Sequence, residues 1–129
     1  ADRIAAAFEL ADGPALLVGM DTPQLTPALL TLPGEGADAW LGPAEDGGWW
    51  ALALREPRRD ARRVLAGVRM STPETGSEQR RSLLAAGLRV ADLPVLRDVD
   101  EPADALAVAA LVPGRRFARA VARAGAVPA

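Results

Sequence analysis

The chain has 129 residues, half of them apolar, and a formal charge of −2 from 17 acidic and 15 basic side chains, which is enough for one packed core and one domain over residues 1–129. It has no histidine and no cysteine, and all its basic residues are arginine, which excludes disulfides, thiolate zinc sites, cysteine nucleophiles, imidazole bases and lysine Schiff bases. Interspersed charges, the lack of an apolar run of about 18 residues and the lack of a secretory leader pattern argue against nucleic-acid and membrane partners, and set the expectation of a soluble, cytoplasmic protein.

In chain order, Arg3 to Ala11 reads as a helix, with Ile4, Ala7, Phe8 and Ala11 on one face. Asp12-Gly13-Pro14 stops it, and Ala15 to Met20 is a continuous apolar run, the pattern of a strand covered on both faces. Thr26 and Pro27 predict the cap and first residue of a short helix through Leu32, ended by Pro33-Gly34-Glu35-Gly36. Short strands are expected at Asp38 to Leu41 and, more clearly, Trp49 to Leu54, the latter able to pair with a neighbour across the Gly47-Gly48 turn. Asp60 is expected to start a helix to Ala66, and Thr72-Pro73 another, whose Leu83, Leu84 and Ala85 lead to Gly87 as terminator. Arg89 to Leu96 alternates like a strand near a sheet edge, where Pro94 is tolerated. Asp100 predicts the cap of a helix to Leu111, and Arg115 to Ala124 a last helix with Phe117, Val121 and Ala124 inward. The alternation of strands and helices predicts an α/β three-layer sandwich around a mixed, mainly parallel sheet.

Chemistry on this chain has to run on carboxylates, hydroxyls, arginines, backbone amides and a hard metal that takes oxygen ligands. The acids are placed suggestively: the apolar run from Leu16 ends in Asp21, at the position where open α/β sheets bind ligands. Two further acidic turns, Gly42-Pro43-Ala44-Glu45-Asp46-Gly47-Gly48 and Asp98-Val99-Asp100-Glu101-Pro102, suggest with it one acidic, metal-binding pocket. Each turn also has a structural reading. Asp21 can cap the turn into Thr22-Pro23, Asp46-Gly47 can encode a hairpin turn, and Asp100 can cap the helix that Pro102 begins. Trp49 and Trp50 sit on opposite faces of their strand, so one is expected in the core while the other can line a pocket and stack on a sugar or base.

Four segments in order, Val18-Gly19-Met20-Asp21-Thr22-Pro23-Gln24-Leu25-Thr26, Leu41-Gly42-Pro43-Ala44-Glu45-Asp46-Gly47-Gly48-Trp49-Trp50, Ser71-Thr72-Pro73-Glu74 and the run from Leu93 to Leu106, resemble the signatures of one group. That group is a largely uncharacterised glycosyltransferase-A-like family, similar also to 2-phospholactate and molybdenum-cofactor guanylyltransferases. The resemblance covers about Ile4 to Leu111. It implies a nucleotide-diphospho-sugar transferase-like fold and a metal-dependent glycosyltransferase with a nucleotide-sugar donor. Nucleotidyl transfer to a phosphorylated small molecule, or an inactive binding or dimerisation module, are its alternatives. By the same resemblance Asp21, with Asp100 and Asp98, holds Mg²⁺ or Mn²⁺ on the nucleotide phosphates. Thr22, Pro23, Gly47, Gly48 and Trp49 lie on the substrate side, and Asp46 or Glu45 meets the acceptor or serves as base. Family members begin with a strand and a glycine-rich basic loop that wraps the phosphates, whereas this sequence opens at the helix before the Asp21 strand. The resemblance thus implies the carboxyl-terminal portion of such a domain, with an apolar sheet edge free to pair two copies.

Overall fold

The structure is a computed structural model and describes residues 1–124. Its elements are α1 (Asp2–Glu9), β1 (Ala15–Val18), β2 (Ala39–Pro43), β3 (Trp49–Leu54), α2 (Pro57–Leu65), α3 (Thr75–Ala85), β4 (Val90–Asp92), α4 (Pro102–Leu111) and α5 (Arg116–Ala124). The four strands form one mixed sheet in the order β1-β3-β2-β4, so the expected α/β architecture is present. The balance of directions differs from expectation. β3 pairs antiparallel with both β1 and β2, and only β2 with β4 is parallel. The reason is the tight β2–β3 hairpin, which inserts a reversed strand between β1 and β2. It follows that β1, β2 and β4 all run the same way, and their carboxyl ends share one rim of the sheet.

Both faces of the sheet are covered. On one, Ala39, Leu41, Leu52 and Leu54 pack against Ala5 and Phe8 of α1, Ala61, Val64 and Leu65 of α2 and Leu83 of α3. Gln79 and Ser82 both donate to the Val64 carbonyl, at 2.8 and 2.6 Å, and dock α3 on the end of α2. On the other face, Trp40, Trp50, Ala51, Ala53 and Leu93 meet Leu25, Leu29 and Leu32. The segment carrying those leucines is not the predicted helix. Thr26 does cap, its Oγ1 accepting the Leu29 N–H at 3.2 Å. Beyond it the backbone makes mainly three-residue turns, since seven residues before Pro33 are too few to repay helix nucleation.

Alternation breaks once, at a bulge. Gly42 faces Ala51 but Pro43 faces Trp49, so Trp50 is the extra residue. The bulge sends Trp50 into the second core, where its Nε1 donates to the Pro94 carbonyl at 2.8 Å, and turns Trp49 toward the helix-covered face. Gly42 is required beneath it, because a Cβ there would lie 2.6 Å from the Trp50 ring.

Several predicted boundaries shift. α2 begins at Pro57, not Asp60, because a proline at the first helical position needs no N–H partner. Asp60 is then fully buried inside the helix, accepting hydrogen bonds from Arg59 and Arg63. Ala7 is exposed, and α1 instead buries Ala5 and Phe8 against α2. The predicted 89–96 strand is ordered only over β4, an edge strand, with a single further bridge from Leu96 to Ala44. In α5 Val121 is buried but Ala124 is exposed.

Candidate functional site

The site forms where β1, β2 and β4 end. After β1 the Gly19 N–H still bonds the Trp50 carbonyl at 2.9 Å, and Met20 then swings fully into solvent as the chain leaves the sheet at Asp21. Two bonds clasp this loop to the one following β4. The Val99 N–H donates to the Asp21 carbonyl at 2.8 Å, and buried Gln24 donates through Nε2 to the Arg97 carbonyl at 2.8 Å. The clasp sets Asp21 beside Asp98 and Asp100.

Asp46 arrives from the β2–β3 turn, which it shapes by accepting the Gly48 N–H at 2.9 Å. The glycines of this turn answer to α3 rather than to open space. Gly47 has φ +94° and a Cβ there would fall 2.0 Å from the Pro73 carbonyl oxygen. Its own carbonyl accepts the Gly76 N–H at 2.8 Å, which fastens the turn to the start of α3.

Asp21, Asp46, Asp98 and Asp100 line one cleft of about 580 Å³, together with Gly48, Trp49, Ile4, Met70, Ser71, Thr72, Pro73 and Thr75. None of these lining residues is basic. Burial, followed by the charges of Asp21, Asp46, Asp100 and Asp104, pushes the Asp98 carboxyl up to about 6. Its Oδ1 is buried with no hydrogen-bond partner. Desolvation at the cleft wall, then Asp21 and Asp46, also raises Asp100, although it is exposed. Among the described residues no three of the acids converge closely enough to form a ready-made ion cage.

The α4 cap belongs to Glu101, not Asp100. Asp104 Oδ2 accepts the backbone N–H groups of Asp100 and Glu101, at 3.2 and 3.0 Å, and its Oδ1 accepts Arg97 Nε at 2.7 Å. These bonds hold Asp104 below the usual carboxylate range and occupy it structurally. Asp100, relieved of capping, faces the cleft.

Of the residues singled out in the sequence, the fold thus brings together Asp21, Asp46, Gly48, Trp49, Asp98 and Asp100. Gly47 packs on Pro73 behind the turn, and Glu45 is exposed outside the lining, its N–H bonded to the Leu96 carbonyl at 2.9 Å. Thr22 is buried with its Oγ1 unpartnered, and neither it nor Pro23 reaches the cleft wall. Sequence reasoning passed over Ile4, Met70 and the Ser71 to Thr75 wall, although Ser71-Thr72-Pro73 stood out as a motif.

Residues 1–72 match the sequence profile of a family described as "Uncharacterized protein conserved in bacteria (DUF2064)". Comparison with curated proteins gives no match. Among solved structures, the fold is similar to a protein from Desulfovibrio desulfuricans titled a "putative nucleotide-diphospho-sugar transferase", with a TM-score of 0.72 at 24% identity. The similarity covers 95% of this chain, which spans 56% of that protein's length. No helix among the described residues is long and apolar enough to cross a membrane.

Proposed function

The chain belongs to this bacterial family, its match taking in more than half of the residues, and from that premise we propose that it is part of a metal-dependent glycosyltransferase using a nucleotide-sugar donor. The observation that carries the reading is the meeting of Asp21, Asp46, Asp98 and Asp100 in one cleft at the carboxyl ends of three like-directed strands. The likeness in fold to the Desulfovibrio nucleotide-diphospho-sugar transferase supports it.

The cleft's donors suit Mg²⁺ or Mn²⁺. Its carboxylates and hydroxyls are hard oxygen ligands, no basic residue of the lining competes, and Asp98 has a buried oxygen without a partner. Such an ion takes one or two protein carboxylates and completes its shell with phosphate oxygens and water. When bound, the ion offsets the charge of the diphosphate leaving group. Asp21 and Asp100 are assigned as its ligands, with Asp98 adjoining them.

Asp46 sits at the same cleft on a turn made rigid by Gly47 and Pro73, and it is assigned to the acceptor. The acceptor hydroxyl oxygen bonds the anomeric carbon, the bond from that carbon to the diphosphate breaks, and the hydroxyl proton passes to Asp46. Glu45, outside the cleft wall, has no part in this assignment. Trp49 offers a ring face to the sugar or base.

The test is a thermal-shift series on this chain and on Asp21→Asn, with UDP-glucose, GDP-mannose, UTP and GTP, each with and without Mn²⁺. A ligand at about 100 times its dissociation constant adds roughly 2.7 kcal/mol to the native state. A Mn²⁺-dependent rise with a nucleotide sugar, lost in Asp21→Asn, is the expected result. A rise with triphosphates alone moves the reading to nucleotidyl transfer of the guanylyltransferase kind. No response to any ligand overturns it in favour of a binding or dimerisation module.

A further inference from the structure

The wall formed by Ser71 and Thr72 has no part in the chemistry above, yet it is the one place in the cleft where the backbone is strained. Ser71 has φ +60°, the only non-glycine residue with positive φ among the described residues. In that region the β-carbon of an L-residue crowds its own backbone, so glycine is the residue that fits without cost. A serine is found there instead, exposed and lining the acidic cleft.

The surroundings hold it in place. Thr75, 4% exposed, donates through Oγ1 to the Arg69 carbonyl at 2.6 Å and accepts the Thr72 N–H at 3.0 Å. Thr72 Oγ1 in turn accepts the Glu74 N–H at 3.2 Å. Glu78 grips the near side of the loop, accepting both the backbone N–H and the guanidinium of Arg69. On the far side Pro73 abuts Gly47, whose carbonyl receives the Gly76 N–H. The loop is therefore fastened to the turn that carries Asp46. Thr72 and Thr75 are spent on this scaffold, which leaves Ser71 as the hydroxyl the loop presents to the cleft.

We propose that Ser71 contacts the substrate, hydrogen-bonding a hydroxyl of the transferred sugar, and that the left-handed backbone at this position serves to aim it. The assignment rests on the glycosyltransferase reading and extends it to a specificity residue. Strain that a fully determined loop holds at a ligand cleft, where glycine would relieve it, is the pattern of a functional constraint rather than a folding one.

Two substitutions separate function from fold. Ser71→Gly removes the hydroxyl and relieves the strain, while Ser71→Ala removes the hydroxyl and keeps it. Binding of UDP-glucose and of UDP, each with Mn²⁺, is measured by titration calorimetry on both variants and the unaltered chain, with GDP-mannose and GDP as the second pair, and melting temperatures are taken without ligand. Loss of one neutral hydrogen bond predicts about 3- to 10-fold weaker sugar-nucleotide binding in both variants, unchanged binding of the bare diphosphate, and a melting temperature for Ser71→Gly equal to or above that of the unaltered chain. Equal affinity of the variants and the unaltered chain for the sugar nucleotide overturns the proposal while leaving the glycosyltransferase reading intact. Equal weakening toward the bare diphosphate, or a marked fall in the melting temperature of Ser71→Gly, also overturns it, because the side chain would then hold the loop and not the sugar. Failure of the unaltered chain to bind either pair overturns both readings together.

Discussion

Replacing Asp98 by asparagine should make the protein more stable, and only at the pH values where the carboxylate is charged. Burial and the neighbouring acids Asp21, Asp46, Asp100 and Asp104 lift Asp98 from 3.8 to about 6. A folded-state value above the unfolded one means that the native protein binds this proton more tightly. Its stabilising effect is complete below about pH 4, is lost as the pH rises through 6, and is absent above that. The shift is about two units, which at 1.36 kcal/mol each sets a ceiling of about 3 kcal/mol. Asp98 is only partly buried, so solvent screening brings the usable figure to about 1–1.5 kcal/mol. Asp98→Asn at pH 8 should therefore unfold at a higher urea midpoint with an unchanged slope, or melt about 4–6 °C higher. At pH 4 the variant and the unaltered chain should coincide. A stabilisation that does not change with pH, or a destabilised variant at pH 8, would refute the view that the acids repel one another across the cleft. If Mg²⁺ or Mn²⁺ binds there, adding it should raise the unaltered chain more than Asp98→Asn and narrow the gap.

Asp60 presents the opposite sign. Burial alone would raise it, but hydrogen bonds from Arg59 and then Arg63 outweigh burial and hold it below the usual range. Its contribution is present above the ordinary carboxylate range and fades as acid protonates it, so Asp60→Ala should cost about 2 kcal/mol in urea unfolding at pH 7, less than for a fully buried pair because both arginines reach solvent. The penalty should shrink toward pH 3, and a pH-independent one would refute the ion-pair account. Gly42→Ala places a Cβ 2.6 Å from the Trp50 ring and should cost about 1–3 kcal/mol in the same assay, with a wild-type melting temperature counting against the bulge geometry. Gly47→Ala should cost more, since it meets Pro73 and also demands φ +94°. The outer edge of β1, unpaired among the described residues, is expected to join two copies; sedimentation at tens of micromolar should show a dimer, and a clean monomer would refute it.

Hydrophobic period, proline, glycine and the order of acidic turns are local properties, and they carried most of the element plan. β3 was legible to the residue as Trp49–Leu54, because an unbroken apolar run bounded by Gly47-Gly48 and Arg55-Glu56 has one reading. The acids Asp21, Asp46, Asp98 and Asp100 were legible as candidates because an acid that follows a strand or sits in a turn is visible in one dimension. Other features depended on partners remote in sequence. Where Leu25, Leu29 and Leu32 come to rest was settled by Trp40 and Trp50, which they cover. Asp100 came free for the cleft because Glu101 took the cap and Asp104 took Arg97. Trp49 was turned by a bulge whose register belongs to the β2 pairing. Ser71 is an ordinary serine in sequence, and its positive φ exists only because Thr75, Glu78 and the Gly47 turn hold its loop from both sides. Local chemistry therefore determined which residues could build a site, and tertiary packing decided which of them meet, because distances between loops are set by strand order and by long-range bonds such as the one from Val99 to the Asp21 carbonyl.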